Sequence, residues 1–394
     1  MQVAPHHHTR AIVHVKTQKD FDDQLSLIKP EQTLALDLEF DKDRFQYGFT
    51  LCLIQLATPE VCLVIDPFEV KQLSKLFEML ENPNTPKVMH AAGEDIKLLH
   101  SLNCFPQNVF DTDIAVRFLN YAKSSLSATV EQIFGVQIDK SLQKSNWTHR
   151  PLTPAHITYA ANDVLYLHHL KEIFEVQLTQ AGLASMVAEE NLYALRKQSY
   201  KNSQTTFWSK DEEKMFSEYD LHILNKLYAF RDEMAQKFNK PPFYIFSKEF
   251  AYEIINTESA AIEKITTLSG IHRSLRSLEG ERILDTIYLD AANEAESLGL
   301  LKDKNKKRMS PEEHQLYLEQ KRMGIEYKTT IVKPIQGWLA AKFGTYAASS
   351  VVSSQLLMQI VSGKMKISTI PLQYKQKLIK AAAQDLELDI SRFI

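Results

Sequence analysis

The segment LALDLEF, residues 34–40, decides the fold class of the first part of the chain. Its leucines and phenylalanine recur with a period of two, which is typical of a β-strand with one face in a hydrophobic core. The other face carries two carboxylates, Asp37 and Glu39. On most alternating strands such a face is simply solvated. The alternative is that both carboxylates point together at a cation, because like charges on one strand face repel each other.

Length and composition limit what the protein can be. A chain of 394 residues is longer than one ordinary core needs, so we expect two or three domains. The net charge of −3 means that affinity for nucleic acid must come from a local basic groove. The three cysteines form no CxxC pair, and no segment has the pattern of a signal peptide or membrane span. We therefore expect a soluble, cytoplasmic protein.

Strand and helix patterns alternate over the first two hundred residues and predict a mixed sheet flanked by helices. Strand patterns cover residues 11–15, 34–40, 50–57, 61–65 and 87–91, and helix patterns cover residues 70–80, 93–102, 112–121, 126–134 and 154–178. From about residue 211 the strand signals fade, and helical patterns follow at 213–298 and 326–394. The charged run KDKNKKR (302–308) between them is interpreted as a solvated linker or helix end, with RNA contact as the alternative.

The two helical regions share a weak internal repeat. EMAQKF (233–238) lies 105 positions before WLAAKF (338–343), and Ile255 precedes Ile360 by the same offset. This pattern favours two similar helical modules over one large bundle.

Two further stretches carry carboxylates that suit a polar site. Asp95 lies in HAAGEDIKLL (90–99), in the first turn of a predicted helix, where an acid is often only a partner of the helix dipole. RPLTPAHITYAANDVLYLHHL (150–170) predicts a helix with Tyr159 and Asp163 four positions apart on one face. Alone, each stretch also has a structural interpretation.

Together, the three stretches resemble the DEDD family of 3′-5′ exonucleases in its tyrosine branch, because the histidine branch would need a histidine at Thr158. VMHAAGEDIKLL, VFDTDIAVRFLNY, DKSLQKSNWTHRPLT and YAANDVLYLHHL resemble the bacterial ribonuclease D family, while FRDEMAQKFNKPP and LSGIHRSLRSLEGERIL resemble its HRDC module. The resemblance implies an α/β, ribonuclease H-like exonuclease domain over residues 1–205. Two all-α domains of HRDC type would follow, over residues 211–298 and 320–394, the second one diverged.

The resemblance also implies the catalytic and metal-binding residues. Asp37, Glu39 and Asp163 would hold one divalent ion, Mg²⁺ or Mn²⁺, and Asp37 and Asp95 would hold a second. Four carboxylates in one place would repel each other strongly without such cations. Tyr159 would orient the attacking water, because an ordinary tyrosine pKa of ~10 suits a positioning role better than that of a base.

Five other residues are candidates for substrate contacts. Gln55 on a predicted strand could touch the terminal nucleotide through its amide, and Phe45 and Tyr47 in the loop before it could do so by stacking. Ordinary loop packing explains the two aromatic residues equally well. Lys144 and Arg150 precede the last motif and could bind phosphates.

We therefore expect a metal-dependent 3′-5′ exoribonuclease that releases nucleoside 5′-monophosphates from structured RNA with an unpaired 3′ tail. Family resemblance suggests transfer-RNA precursors and 3′-end maturation. We expect a monomer that does not bind a membrane. We also expect no nucleotide cofactor, since the chain has no Walker A or GxGxxG motif. A DNA exonuclease is one alternative, because only 2′-hydroxyl contacts distinguish RNA from DNA at such a site. A catalytically inactive nucleic-acid-binding protein is the other.

Overall fold

The computed structural model describes residues 10–197, 206–257, 270–302 and 311–394. Within these residues, the strands are β1 Ala11–Val15, β2 Leu34–Lys42, β3 Phe49–Ala57, β4 Val61–Ile65, β5 Lys87–Met89 and β6 Val109–Asp111. They form one sheet in the order β1-β4-β3-β2-β5-β6. The pairs β1–β4, β2–β5 and β5–β6 are parallel and β3–β4 is antiparallel, so the sheet is mixed, as predicted.

The helices that follow or flank the strands are α1 Gln18–Ser26, α2 Ser74–Glu81, α3 Gly93–Ser101, α4 Thr112–Phe118, α5 Leu126–Phe134, α6 Pro154–Leu165, α7 Leu167–Gln180 and α8 Ala184–Lys197. The sequence predicted one helix over 154–178, but α6 and α7 are separate. At the break, Arg10 of the segment before β1 donates a hydrogen bond to the Leu165 carbonyl at 2.8 Å. Hydrophobic periodicity does not reveal such a long-range contact.

Residues 206–302 form a helical region with a hydrophobic core of its own. Its helices are α9 Lys210–Met215, α10 Glu218–Phe238, α11 Pro242–Ile245, α12 Lys248–Thr257 and α13 Leu278–Ser297. Leu224, Leu227 and Tyr228 of α10 are fully buried in this core. The hairpin tip between β2 and β3, residues 40–50, belongs to the same compact unit.

The C-terminal helices are arranged differently. They are α14 Pro311–Tyr327, α15 Lys333–Phe343, α16 Thr345–Val351, α17 Ser354–Val361 and α18 Gln373–Asp385. Their buried residues belong to the same hydrophobic core as those of the N-terminal α/β region, with the Tyr374 ring 6.1 Å from the Phe118 ring. Asn120 after α4 accepts hydrogen bonds from the Tyr346 and Ala347 amides, and its side chain occupies the space where a Cβ on Gly344 would lie.

The internal repeat corresponds to equivalent helix positions. The first copy ends α10 at Phe238 and the second ends α15 at Phe343. Ile255 and Ile360 are buried in the later helices α12 and α17. The HRDC-like nature of the second copy stays a prediction, and residues 303–308 of the charged run lie outside the described residues. In the described part of the chain, no helix has the length and apolarity that crossing a membrane requires.

Candidate active site

Three carboxylates converge at one edge of the N-terminal α/β region. Asp37 and Glu39 lie on β2, and Asp163 lies on α6. One carboxylate oxygen of each residue lies within 4.8 Å of a carboxylate oxygen of the other two. Together with Tyr159, they line a cleft of about 440 Å³. The alternating strand and the helix with four-residue spacing thus bring the predicted residues into one place.

Asp95 lies beside this group and does not line the cleft. It is in the first turn of α3 and is 7% exposed. Its carboxylate accepts a hydrogen bond from the Leu38 amide, and its charge contributes to the raised pKa of Asp37. Asp95 of α3 therefore lies next to Asp37 of β2, beside Leu38, the residue between Asp37 and Glu39. We call Asp37, Glu39, Asp95 and Asp163 the acid cluster.

Among the residues that the structure describes, none forms an ion pair with a carboxylate of the acid cluster. Burial, and then the charges of Asp95, Asp163 and Glu39, raise the pKa of Asp37 well above its ordinary value. Burial and the charges of Asp163 and Asp95 raise the pKa of Glu39 to about 9, and burial raises the pKa of Asp95 and of Asp163 to about 7. Carboxylate oxygens are the ligands that hard divalent cations prefer, and a cation would relieve this repulsion. The donor set therefore fits divalent metal ions.

Asp111 builds the turn that places Asp95. Its carboxylate accepts hydrogen bonds from the Ala91 and Ala92 amides at 2.8 and 3.0 Å, immediately before α3 begins. Ala91 has φ of 54°, a left-handed conformation that is costly for a residue with a Cβ and that these bonds stabilise. Asp111 also caps α4 by accepting from the Asp113 amide at 2.9 Å.

Tyr159 presents its hydroxyl to the cleft. Its ring packs against Trp147 with 5.9 Å between ring centroids, and the residue is 9% exposed. Burial and the charges of Asp163, Glu39 and Asp37 raise its pKa, so the phenol stays protonated. In the described part of the chain no group forms a hydrogen bond with this hydroxyl, which leaves it able to bind a molecule in the cleft.

Two of the substrate candidates, Arg150 and Gln55, do not offer their polar groups to the cleft. The five N–H groups of Arg150 are all used, on both oxygens of Asp66 and on the carbonyls of Cys52, Trp147 and His149. The prediction that Arg150 binds a phosphate is therefore wrong for this structure. Gln55 is fully buried opposite Val64 of β4, and its amide atoms have no hydrogen-bond partner among the described residues. It does not reach the cleft surface.

The aromatic candidates belong to the helical unit. The Tyr47 hydroxyl donates to Asp232 at 2.8 Å, and the Tyr47 amide donates to the Asn239 side chain. The ring packs against the core of residues 206–302, so its contacts are those of loop packing. Phe45 is partly buried, with the Arg44 guanidinium 4.7 Å from its ring centroid. Both residues lie in the 40–50 hairpin tip, outside the unit that contains the acid cluster.

The polar residues of the cleft differ from those that the sequence singled out. Lys144 is exposed but is not among the lining residues, whereas Lys140, Gln143 and Arg117 are. Lys140 and Gln143 precede Lys144 in the same loop, so residues next to the predicted one line the cleft, and a phosphate contact of Lys144 stays a prediction. Arg117 lies on α4, within the stretch VFDTDIAVRFLNY that carries the family resemblance, but nothing in that stretch indicated that its side chain lines the cleft.

His90 also lines the cleft, and it is held as a neutral imidazole. Its Nδ1 lies 2.9 Å from the Thr112 hydroxyl, and its ring bonds the Ser124 carbonyl. Burial lowers its pKa to about 4. These bonds connect the end of β5 to the starts of α4 and α5.

Comparison with known proteins agrees with this geometry. Residues 12–179 match the family described as 3′-5′ exonuclease, and residues 220–287 match the HRDC domain. The chain is 30% identical to a ribonuclease D of Bartonella henselae over 60% of this chain and 58% of that protein. It is 27% identical to a ribonuclease D of Nitrobacter hamburgensis over 67% of this chain and 70% of that protein.

The chain is similar to proteins named ribonuclease D. The crystal structure of Escherichia coli RNase D, described as an exoribonuclease involved in structured RNA processing, matches with a TM-score of 0.68 and 22% identity. That match covers 94% of this chain and 98% of the E. coli chain, which supports the same fold. The predicted fold class, an exonuclease domain with a mixed sheet followed by a helical HRDC region, is confirmed.

Proposed function

We propose that this protein is a metal-dependent 3′-5′ exoribonuclease that releases nucleoside 5′-monophosphates from RNA 3′ ends. The observation that carries the proposal is the convergence of Asp37, Glu39 and Asp163 beside the free hydroxyl of Tyr159 in one cleft. The chain spans 58% of the length of the Bartonella ribonuclease D that it matches. The activity is therefore argued from the site.

The acid cluster has a defined place in this chemistry. Asp37, Glu39 and Asp163 would hold one divalent ion, and Asp37 with the adjacent Asp95 would hold a second. When bound, Mg²⁺ or Mn²⁺ ions would supply a more acidic water and stabilise the charge that develops on the leaving 3′ oxygen. Asp111 keeps Asp95 in place through the turn before α3.

Tyr159 positions the attacking water in this proposal. Because its phenol remains protonated at neutral pH, it donates or accepts a hydrogen bond and does not remove a proton. Its ring is fixed by Trp147, so the hydroxyl direction is set before substrate binds. A water held near the carboxylates in this way would need little reorganisation before attack.

The substrate proposed is structured RNA with an unpaired 3′ tail, such as a transfer-RNA precursor, by analogy with the E. coli protein. The helical region offers a basic surface for the RNA body around His272. Burial and the charges of Arg273, Arg276 and Lys240 lower the pKa of this histidine, which indicates that the cations cluster there. Such cations bind phosphates regardless of sequence. The monomeric state and the cytoplasmic location remain predictions.

A digestion experiment tests the proposal. A transfer RNA with a single-stranded 3′ tail and a single-stranded DNA of the tail sequence would be incubated with the protein in Mg²⁺, in Mn²⁺ and in EDTA. We expect release of 5′-mononucleotides from the RNA tail, and none in EDTA. Degradation of DNA at an equal or higher rate would favour the DNA exonuclease, and RNA binding without cleavage in either metal would favour the inactive binding protein.

A further inference from the structure

The cleft that contains the acid cluster also contains an arginine that was not among the predicted site residues. Arg117 of α4 lines the cleft together with Asp37, Glu39 and Asp163. Its side chain is 52% exposed. Four carboxylates beside one cleft repel an RNA phosphate, so a cation at the same cleft has a specific use during substrate binding.

Asp113 holds Arg117 from one side. The Arg117 Nε lies 2.8 Å from Asp113 Oδ2, one helical turn earlier, and the Asp113 side chain is only 10% exposed. Both charges act on the buried His90, which places the three side chains close together. In the part of the chain that the structure describes, Arg117 has no other ion pair or hydrogen bond, so its Nη groups remain available to a ligand.

We propose that Arg117 is a positioning residue that binds a backbone phosphate of the RNA 3′ end, with Asp113 fixing its orientation. The ligand class is a phosphodiester, which a guanidinium binds through two parallel N–H donors. Binding a phosphate that does not react would bring the reacting one to the acid cluster at the correct distance. This proposal rests on the exonuclease function proposed above.

A purely structural role for the pair predicts a different result. An ion pair four residues apart on a half-exposed helix contributes little to stability, and removing it changes the folded state slightly. The ion pair between Lys75 and Asp22, at 2.8 Å with a 57% exposed lysine, offers a matched control because neither residue lines the cleft. Any effect of losing an ion pair alone should appear equally in Lys75→Ala.

The test compares Arg117→Ala, Arg117→Lys and Lys75→Ala on an RNA with a single-stranded 3′ tail. We expect Arg117→Ala to raise KM by roughly 10-fold or more and to leave kcat within about twofold. Arg117→Lys should lie between this variant and the parent, because lysine keeps the charge but lacks the planar fork. Lys75→Ala should match the parent. A KM for Arg117→Ala within about twofold of the parent would overturn the proposal.

A binding measurement separates this proposal from the exonuclease function itself. In an Asp37→Asn background, fluorescence anisotropy of a labelled RNA gives affinity at several salt concentrations without cleavage. Arg117→Ala should reduce the slope of log affinity against log salt by about one phosphate contact. An unchanged slope would exclude the phosphate contact. If the parent protein releases no nucleotides, the exonuclease function fails, while the salt slope still decides whether Arg117 binds RNA.

Discussion

The pKa values of buried carboxylates are shifted in opposite directions at two places in this molecule, Glu212 in the helical region and the acid cluster. Glu212 of the helical region is 1% exposed and accepts hydrogen bonds from the Tyr228 hydroxyl, the Tyr252 hydroxyl and the Ser209 amide, with Lys248 at 3.0 Å. Burial alone would raise its pKa, but these bonds outweigh burial and lower the pKa to about 2. In the acid cluster the pKa values are raised, to about 9 for Glu39.

The difference shows how a structural carboxylate can be distinguished from a metal-binding one. Around Glu212 the chain itself supplies the donors, so the charge is stable without any ligand. Around Asp37 the nearest ionisable groups are other carboxylates, and the chain supplies few donors. A group of acids kept together against mutual repulsion needs a positive partner from outside, and such sites are candidates for function.

The largest effect is expected for Asp37→Asn. Removing the carboxylate shared by both proposed ions should lower the cleavage rate roughly 1,000-fold or more, since several kcal/mol of transition-state stabilisation would be lost. Single-turnover cleavage of a short RNA in Mn²⁺ measures the rate of the variant relative to that of the parent. A folded variant with near-normal activity would contradict the metal-binding interpretation of the acid cluster.

Asp37→Asn should lower the cleavage rate but raise the stability of the metal-free protein at high pH. Groups with a raised pKa in the folded state stabilise it at low pH, and this contribution is lost as pH rises through the folded pKa values of about 7 to 9. The metal-free protein should therefore have a lower Tm at pH 9 than at pH 6, and Asp37→Asn should reduce the difference. Thermal unfolding in EDTA at both pH values checks this. Equal pH dependence in parent and variant would argue against repulsion within the acid cluster.

Glu212→Gln should destabilise the helical region without affecting the reaction. The hydrogen bonds that lower its pKa stabilise the folded state above the unfolded pKa of about 4.5, and this stabilisation is lost as pH falls toward 2. Hydrogen exchange of α9, α10 and α12 at neutral pH measures the loss. Cleavage of short RNA should stay within about twofold of the parent. Unchanged exchange protection would mean that this network does not stabilise the region.

The sequence predicted the residues whose spacing follows from one strand or one helix. Asp37 and Glu39 share a strand face, and Tyr159 and Asp163 share a helix face, so local geometry showed that each pair lies together, while the family resemblance assigned their roles. Arg150 and Gln55 were misjudged because their surroundings come from distant segments, the Asp66 carboxylate in one case and the buried sheet face in the other. Arg117 was missed for the same reason.

Domain relations were also only partly predictable. The repeat suggested two similar helical modules, yet residues 206–302 have their own core while the C-terminal helices share that of the exonuclease region. The repeat reflects helix patterning, which is local. Which core a helix joins depends on surface complementarity, such as Asn120 fitting against Gly344. The amino-acid composition of the two segments does not predict that Asn120 and Gly344 pack against each other.

Tyr159→Phe should slow cleavage by roughly 10- to 100-fold and leave both RNA affinity and Tm nearly unchanged. The hydroxyl is assigned to the attacking water, while the ring retains its packing on Trp147. Single-turnover rates and equilibrium binding in Ca²⁺ separate the two quantities. If the rate remains within about twofold of the parent, Tyr159 has only a packing role.

Tyr252→Phe is the matched substitution in the helical region, and the smallest effect is expected for it. Its hydroxyl donates to Glu212 at 2.8 Å, so its removal leaves the carboxylate with one donor fewer, while Tyr228, Ser209 and Lys248 remain. The loss should be about 1 kcal/mol in the stability of this region, with no change in the cleavage rate of short RNA. Tyr159→Phe and Tyr252→Phe each remove one phenolic oxygen. The Tyr159 hydroxyl has no hydrogen-bond partner among the described residues, whereas the Tyr252 hydroxyl stabilises the buried charge of Glu212. If both lowered Tm equally and neither altered the rate, the distinction between a ligand-binding and a structural carboxylate group would not hold in this protein.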